Sequence, residues 1–434
     1  MSQEQSLLHR ILDHASRPDP YPLYAELRRT PVWHEGDGPY VISGFTDIQE
    51  LLHDPRMSSD ARNLAAATGD PLAEAVEAGE NGGPGADGGS EGNVSGVLPP
   101  GFLRLDPPEH DRLRRMTNRP FGPPHTPHKV DGMRAELTAA VDDLLDRIGS
   151  GADSDDVDLV GSFAYPFPVT VICRLLGVPR EDEPRFHVWA EAVAASLDPD
   201  PDVPDPAARL RASHDARLAL GGYLAELIEE RRRRPGDDMI SRLASRDGPD
   251  GPMSTMELLT TSALLLVAGH ETTVNLIANG MLTLLRHPEA LERLRREPAF
   301  AAPLVEELLR YEPPVQLLPQ RTPLAPVEVR GTVIPPGASV WLMLAAGNRD
   351  AERFTDPERF DPDRRDLQHL GLGSGIHSCF GAPLARLEAQ IALSRFATRL
   401  ERPRLLADPP PYRRNAVLRG PRSLPVGCAG VRRP

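Results

Sequence analysis

One cysteine and one acid–alcohol pair stand out as residues that could do chemistry. Cys379 lies in Leu372-Gly373-Ser374-Gly375-Ile376-His377-Ser378-Cys379-Phe380-Gly381. The three glycines let this backbone turn tightly and approach a flat ligand where a Cβ would collide. No second cysteine is near enough in sequence to share a zinc ion or form a disulfide. Directly after the loop, Ala382-Pro383-Leu384-Ala385-Arg386-Leu387-Glu388-Ala389 opens an amphipathic helix, with Pro383 in the tolerated first turn. A sulfur at a helix N-terminus is favoured as thiolate by the helix dipole and the free N–H groups. That is how a protein offers an anionic axial ligand to a haem iron. Taken alone, a single cysteine is more often a small buried hydrophobe, so the rest of the pattern decides.

The pair Glu271-Thr272 sits in a segment patterned as one long helix, from about Ser254 to Arg286. Leu264-Leu265-Leu266-Val267 is apolar, Ala268 and Gly269 remove bulk, and then the acid and the alcohol follow. Small residues leave room for dioxygen, and a hydroxyl beside a carboxylate can relay protons to it. His270-Glu271 resembles the start of a zinc-protease motif, but Val274 stands where His-Glu-x-x-His needs its second histidine. The commoner fate of a helical threonine is a bond back to its own helix carbonyl. The coincidence with Cys379 is what favours the relay.

Together these stretches resemble the cytochrome P-450 superfamily. Its haem loop reads Phe-Gly-x-Gly-x-His-x-Cys-x-Gly, and this chain departs only at the first position, where Leu372 replaces Phe. Glu307-Leu308-Leu309-Arg310 is similar to the family's Glu-x-x-Arg, Asp356-Pro357-Glu358-Arg359-Phe360 to its Pro-Glu-Arg-Phe segment, and Ala268 to Thr273 to its oxygen-activating stretch. The motifs follow in the family's order, and the likeness runs from about residue 18 to the C-terminus.

The resemblance implies a mainly α fold with a small β-rich lobe, a single domain over residues 1–434. It implies haem b between the long central helix and the Cys-loop helix, ligated by the Cys379 thiolate. Leu372, Gly373 and Gly381 would surround that ligand, with Ala268 and Gly269 on the opposite side. By the same matching, His110, Arg114, Arg321 and His377 would bind the propionates. Glu271 and Thr272 would deliver protons, and Glu307, Arg310 and Arg359 would form an ion-pair scaffold. Leu264, Val267, Leu317, Leu318, Val417 and Leu418 would line an apolar substrate pocket. The implied activity is a monooxygenase inserting one atom of dioxygen into an apolar small molecule, such as a bacterial polyketide, macrolide or peptide. The same motifs also suit coupling, ring closure or dehydrogenation without oxygen insertion; a non-catalytic haem or ligand-binding protein is the third alternative. No flavin or nicotinamide fingerprint accompanies the haem region. A separate ferredoxin and ferredoxin reductase are therefore expected, docking near Cys379 where Arg112, Arg115 and Arg386 offer positive charge. Leucine at 372 fills less volume than phenylalanine, so a modest change in reduction potential or haem retention is expected.

The elements that must position these groups follow from pattern. A helix is expected over 21–29, strands near Val32 and at Tyr40-Val41-Ile42, and a helix from Phe45 to Leu52. A helix entered through Asp106-Pro107-Pro108-Glu109 and running to Arg119 puts His110 and Arg114 on one face, about 6 Å apart at Cβ. Helices over 181–197 and 207–233 are joined by the stiff, Pro- and Asp-rich 198–206; in the family such a pair opens and closes over the substrate. Residues 61–100, rich in glycine and acidic residues, cannot bury enough apolar surface to order themselves. A mobile loop over the active site is expected there.

Composition sets outer bounds. The chain has 434 residues, 40% of them hydrophobic, enough for a large core, and a formal charge of −14. That charge disfavours nucleic acid or an anionic membrane as the main partner. Three cysteines offer no disulfide framework and fit a reducing compartment. The N-terminus carries neither a basic n-region nor a long apolar run, so a cytoplasmic protein is expected; a monomer is expected as well.

Overall fold

The structure is a computed structural model that describes residues 6–60, 62–63, 101–121, 129–150, 156–199, 203–245 and 250–433. The expected loop over 61–100 lies outside the described residues except for Arg62 and Asn63, as do residues 200–202 of the lid connection.

A 32-residue helix organises the molecule. The labelled helices in chain order are α1 (Glu109–Phe121), α2 (Arg134–Ser150), α3 (Pro166–Leu176), α4 (Glu183–Ala195), α5 (Pro206–Arg233), α6 (Thr255–Arg286), α7 (Ala301–Tyr311) and α8 (Ala382–Arg399). The central helix is α6. Its start is set by a capping box: Ser254 Oγ accepts the Glu257 N–H at 3.2 Å and Glu257 Oε2 accepts the Ser254 N–H at 2.8 Å. Residues buried on every side, from Leu258 to Leu284, explain its weak amphipathicity: such a helix belongs in an interior rather than on a surface. It packs against α3, α4, α5, α7 and α8. Helices α4 and α5, the pair expected to close over the substrate, lie against each other as well as on α6.

The β-rich lobe is a mixed five-stranded sheet of β1 (Val32–Trp33), β2 (Tyr40–Ile42), β3 (Met57–Ser58), β4 (Leu318–Pro323) and β5 (Val340–Leu342), in the order β1-β2-β5-β4-β3. Only the β2–β5 pair is parallel, with Val41 opposite Trp341. Between Leu318 and Arg321 the β4–β5 register slips, and Gln320 takes a left-handed backbone (φ 69°). One apolar cluster backs the sheet with Ile42, Phe45, Val340 and Leu342; another joins Tyr24, Leu27, Leu317, Met343, Val417 and Leu418. Among the described residues no helix is long and apolar enough to cross a membrane.

Candidate active site

The Cys379 loop is held by its own backbone. Cys379 N–H donates to Leu372 O at 2.8 Å, and Gly373 N–H to Leu370 O at 2.8 Å. Gly373 and Gly375 have φ of 69° and 67°, conformations open to glycine. At Gly375 a Cβ would sit 2.1 Å from Leu52 O, and at Gly371 2.1 Å from Leu309 O, so both glycines are demanded by close backbone approach. A Cβ on Gly381 would meet nothing within 4 Å. Cys379 is exposed. Burial raises its pKa; the N–H groups of Gly381 and Ala382 at the start of α8, with the Arg114 and Arg386 guanidiniums, oppose that rise. The expected helix-terminal stabilisation of sulfur is present but outweighed, so a cation on the sulfur is what would favour the thiolate.

Behind the loop, a buried ion pair locks the chain. Glu307 and Arg310 on α7 are both fully buried and bidentate, at 2.7 and 2.8 Å. Arg310 also donates to the carbonyls of Asn348 (2.9 Å), Pro357 (2.8 Å) and Arg359 (3.0 Å), while Glu307 accepts the Asp361 N–H at 2.7 Å. Every donor on that guanidinium side is matched, which is what buried charge requires. Arg359 contributes its carbonyl and keeps its side chain exposed; the second arginine facing Glu307 is Arg364, at 3.4 Å.

Beside the loop, cationic and imidazole groups gather. His110 is buried and its ring lies 4.4 Å from that of His377. Arg114, one turn further along α1, donates to Ser378 O at 2.7 Å. Arg321, at the β4 irregularity, is buried and is pushed down to about 10 by burial and by Arg104. His377 is pushed down to about 3 by burial, with Arg321, His110 and Arg114 adding repulsion. Of the nearby carboxylates, Asp106 is engaged by Ser58 and Ser59, and Asp111 is bonded to the cluster itself through His110 Nδ1. His110 Nε2 and both ring nitrogens of His377 are buried without partners. Such a cluster is completed by an anion.

The acid–alcohol pair lies in the middle of α6. Ala268 is exposed although most of the helix around it is buried, and Thr272, one turn on, is half-buried. Thr272 Oγ1 donates to Ala268 O at 2.8 Å, the back-bond anticipated from sequence, which leaves the hydroxyl's lone pairs to accept. Glu271 is buried, pairs with Arg413, and receives Asn275 Nδ2 at 3.5 Å. Gly269 does not face the cleft: a Cβ there would lie 3.1 Å from Ile172 Cδ1, so its small size serves the approach of α3.

The expected pocket residues divide. Leu264 and Val267 are half-buried on α6, Leu264 lying against Gly101, and Leu318 is half-buried in β4. Leu317 is fully buried in the β-lobe core with Val417 and Leu418, so its role there is packing. The arginines expected to present positive charge are paired, Arg112 with Glu257, Arg115 with Asp250 and Arg386 with Glu306. Leu372 is half-buried; the aromatic next to Cys379 in the chain is Phe380, stacked on Phe121 at 4.7 Å. Arg413, Arg364 and Phe380 were not singled out from sequence. Arg413 lies 142 residues from Glu271, and no local pattern marks it.

Fold and site define a helical protein built on a long central helix, with one exposed cysteine and an anion-seeking cluster beside its loop. The cytochrome P450 family model matches residues 97–423, and the chain belongs to the cytochrome P450 family. It is 41% identical over 421 residues, 94% of this chain and 91% of the other, to the cytochrome P450 monooxygenase PikC of Streptomyces venezuelae. It is 36% identical over 330 residues, 76% of this chain and 78% of the other, to the polyketide biosynthesis cytochrome P450 PksS of Bacillus subtilis. Among solved structures, ligand-free CYP164A2 of Mycobacterium smegmatis superposes with a TM-score of 0.83 at 38% identity, covering 97% of this chain and 99% of that one. The protein is a cytochrome P450 monooxygenase, an oxidoreductase whose family uses haem b with cysteine thiolate ligation, dioxygen, a substrate and a redox partner. The residues fit that cofactor: an exposed cysteine, partnerless imidazole nitrogens and an arginine pair suited to two propionates.

Proposed function

We propose that Cys379 is the axial thiolate and that His110, Arg114, Arg321 and His377 bind the haem propionates. The observation that carries this is the set of buried, partnerless imidazole nitrogens on His110 and His377 beside Arg114, the buried Arg321 and an exposed cysteine, since buried polar groups without partners are otherwise costly. When bound, the haem supplies the oxygen chemistry. The chain's own residues hold, orient and protonate. Arg114 bonds the loop carbonyl of Ser378 and so couples loop position to cofactor charge. Thr272 and Ala268 form the cleft-facing strip of α6, and Glu271 stands 100° round the helix as the acid that replenishes the threonine hydroxyl. Glu307 and Arg310, with the carbonyl of Arg359, tie the segment before the loop.

The substrate we infer is a largely apolar natural product of the polyketide kind, hydroxylated or epoxidised; the support is the half-buried aliphatic set Leu264, Val267 and Leu318 and the likeness to the polyketide biosynthesis P450 PksS. Overall, dioxygen, two protons and two electrons give one hydroxyl or epoxide oxygen and one water. A ferredoxin with its reductase would supply the electrons singly, to a monomeric enzyme in the cytoplasm. Because Arg112, Arg115 and Arg386 are each paired with a carboxylate, docking would draw on a charge pattern rather than a purely positive face. The test is turnover of a candidate polyketide with ferredoxin, reductase and nicotinamide donor. A product heavier by one oxygen, labelled from ¹⁸O₂, is expected; a product lighter by two hydrogens would overturn oxygen insertion.

A further inference from the structure

Behind the acid–alcohol pair lies a set of polar groups that the reaction as described does not use. Tyr165, at the entry to α3, stands edge-on between two histidines. Its ring centroid is 4.2 Å from that of His187 at 69°, and 5.1 Å from that of His270 at 88°. His187 belongs to the lid helix α4 and is 46% exposed, with Glu191 one turn along at 4.0 Å and 73% exposed. His270 is 3% exposed and directly precedes Glu271. Tyr165 Oη and His270 Nε2 are both buried with no partner among the described residues.

We propose that Glu191, His187, Tyr165 and His270, linked by ordered water, form the proton-entry path from the lid surface to Glu271. The proposal rests on Glu271 as the acid serving Thr272. Two buried polar atoms in adjoining rings are costly unless water satisfies them, and buried water typically bridges such groups. Successive residues of α6 are turned by 100°. His270, Glu271 and Thr272 therefore carry the path round the helix, from the side packed on Tyr165 to the side facing the cleft. Arg413 fixes the middle of that path by pairing with Glu271. Burial lowers His270 to about 4, so the ring is neutral at physiological pH. A neutral imidazole can take a proton at one nitrogen while releasing one at the other. Each proton entering at Glu191 or His187 is thus matched by one leaving at Glu271. The two protons used per turnover are consumed, with two electrons from the external donor, in making water from one oxygen of dioxygen. Tyr165, His187 and His270 are positioning residues in this scheme, since none touches the reacting atoms.

The test is Tyr165→Phe, which removes the hydroxyl and keeps the ring between the histidines. Haem content and the reduced carbon monoxide spectrum are expected to match wild type. Product formation should fall about tenfold, less than the ~10²–10⁴-fold of a direct acid–base group. More reductant should appear as peroxide, and the solvent deuterium isotope effect should rise. A crystal structure of the wild-type holoenzyme should place ordered water on both Tyr165 Oη and His270 Nε2. Unchanged coupling and isotope effect in Tyr165→Phe, or a dry space between these atoms, would overturn the path. Glu271→Gln separates the two levels: if it is impaired while Tyr165→Phe is not, the path alone fails. If Glu271→Gln is itself indistinguishable from wild type, the role of Glu271 fails with it.

Discussion

The loop side and the lid side of the cleft are built on different principles. Beneath Cys379, the backbone decides: Gly371 and Gly375 each approach a carbonyl so closely that no Cβ fits, and Glu307 and Arg310 are bonded to each other and to four further backbone groups. Above it, side chains decide. Leu264, Val267 and Leu318 are half-buried aliphatics, and the lid helices leave Val188 and Leu210 exposed at 64% and 46%. A backbone-determined site tolerates few sequences and holds a cofactor in one geometry. A side-chain-determined one can change shape at little cost in stability. The division separates the chemistry common to the fold from the substrate preference of this chain.

Substitutions on the two sides should therefore differ in kind. Arg310→Leu leaves Glu307 buried with only Arg364 at 3.4 Å and the Asp361 N–H facing it, and should cost about 3 kcal/mol, read as a lower Tm and loss of haem; an unchanged melt would erase the contrast. Acid should act next. His270 is neutral when folded, with its pKa lowered by burial to about 4, whereas the unfolded chain takes up a proton near the ordinary 6.5. Stability should thus fall as pH drops from about 6.5 to 4, by up to about 3 kcal/mol, and no further below that. Denaturant midpoints of wild type and His270→Phe across this window check it, the variant giving the flatter curve. In the proposed pocket, Leu318→Ala should alter kcat/KM for an apolar substrate by about tenfold, or ~1.4 kcal/mol, while haem content stays at the wild-type level. Smallest is Leu372→Phe, which should shift the reduction potential modestly through packing near the sulfur; an identical potential in spectroelectrochemical titration would show that Phe380 already provides the shielding.

The loop side was also the legible side. The spacing of glycines, His377 and Cys379 is local, and so are the Glu307–Arg310 separation and the Ser254–Glu257 cap that starts α6. The lid helices, expected over 181–197 and 207–233, form as Glu183–Ala195 and Pro206–Arg233. What escaped depends on tertiary approach. On a helix buried all round, periodicity cannot tell which face meets a cleft, so Gly269 was grouped with Ala268 although it packs on Ile172. Leu317 directly precedes β4 and Leu318 begins it, and neighbouring side chains there part ways, one fully buried in the core and the other half-buried. Arg364 rather than the Arg359 side chain meets Glu307, and Arg413 reaches Glu271 from a C-terminal hairpin closed by Tyr412 and Pro421. No sequence pattern announces these pairings.

The central claim is that Cys379 binds haem iron as thiolate. The absorption spectrum of the dithionite-reduced protein under carbon monoxide tests it most directly, alongside Cys379→Ala. A strongly red-shifted Soret band that disappears in the variant is the predicted result. A band at the ordinary imidazole position, or one that survives Cys379→Ala, would contradict it.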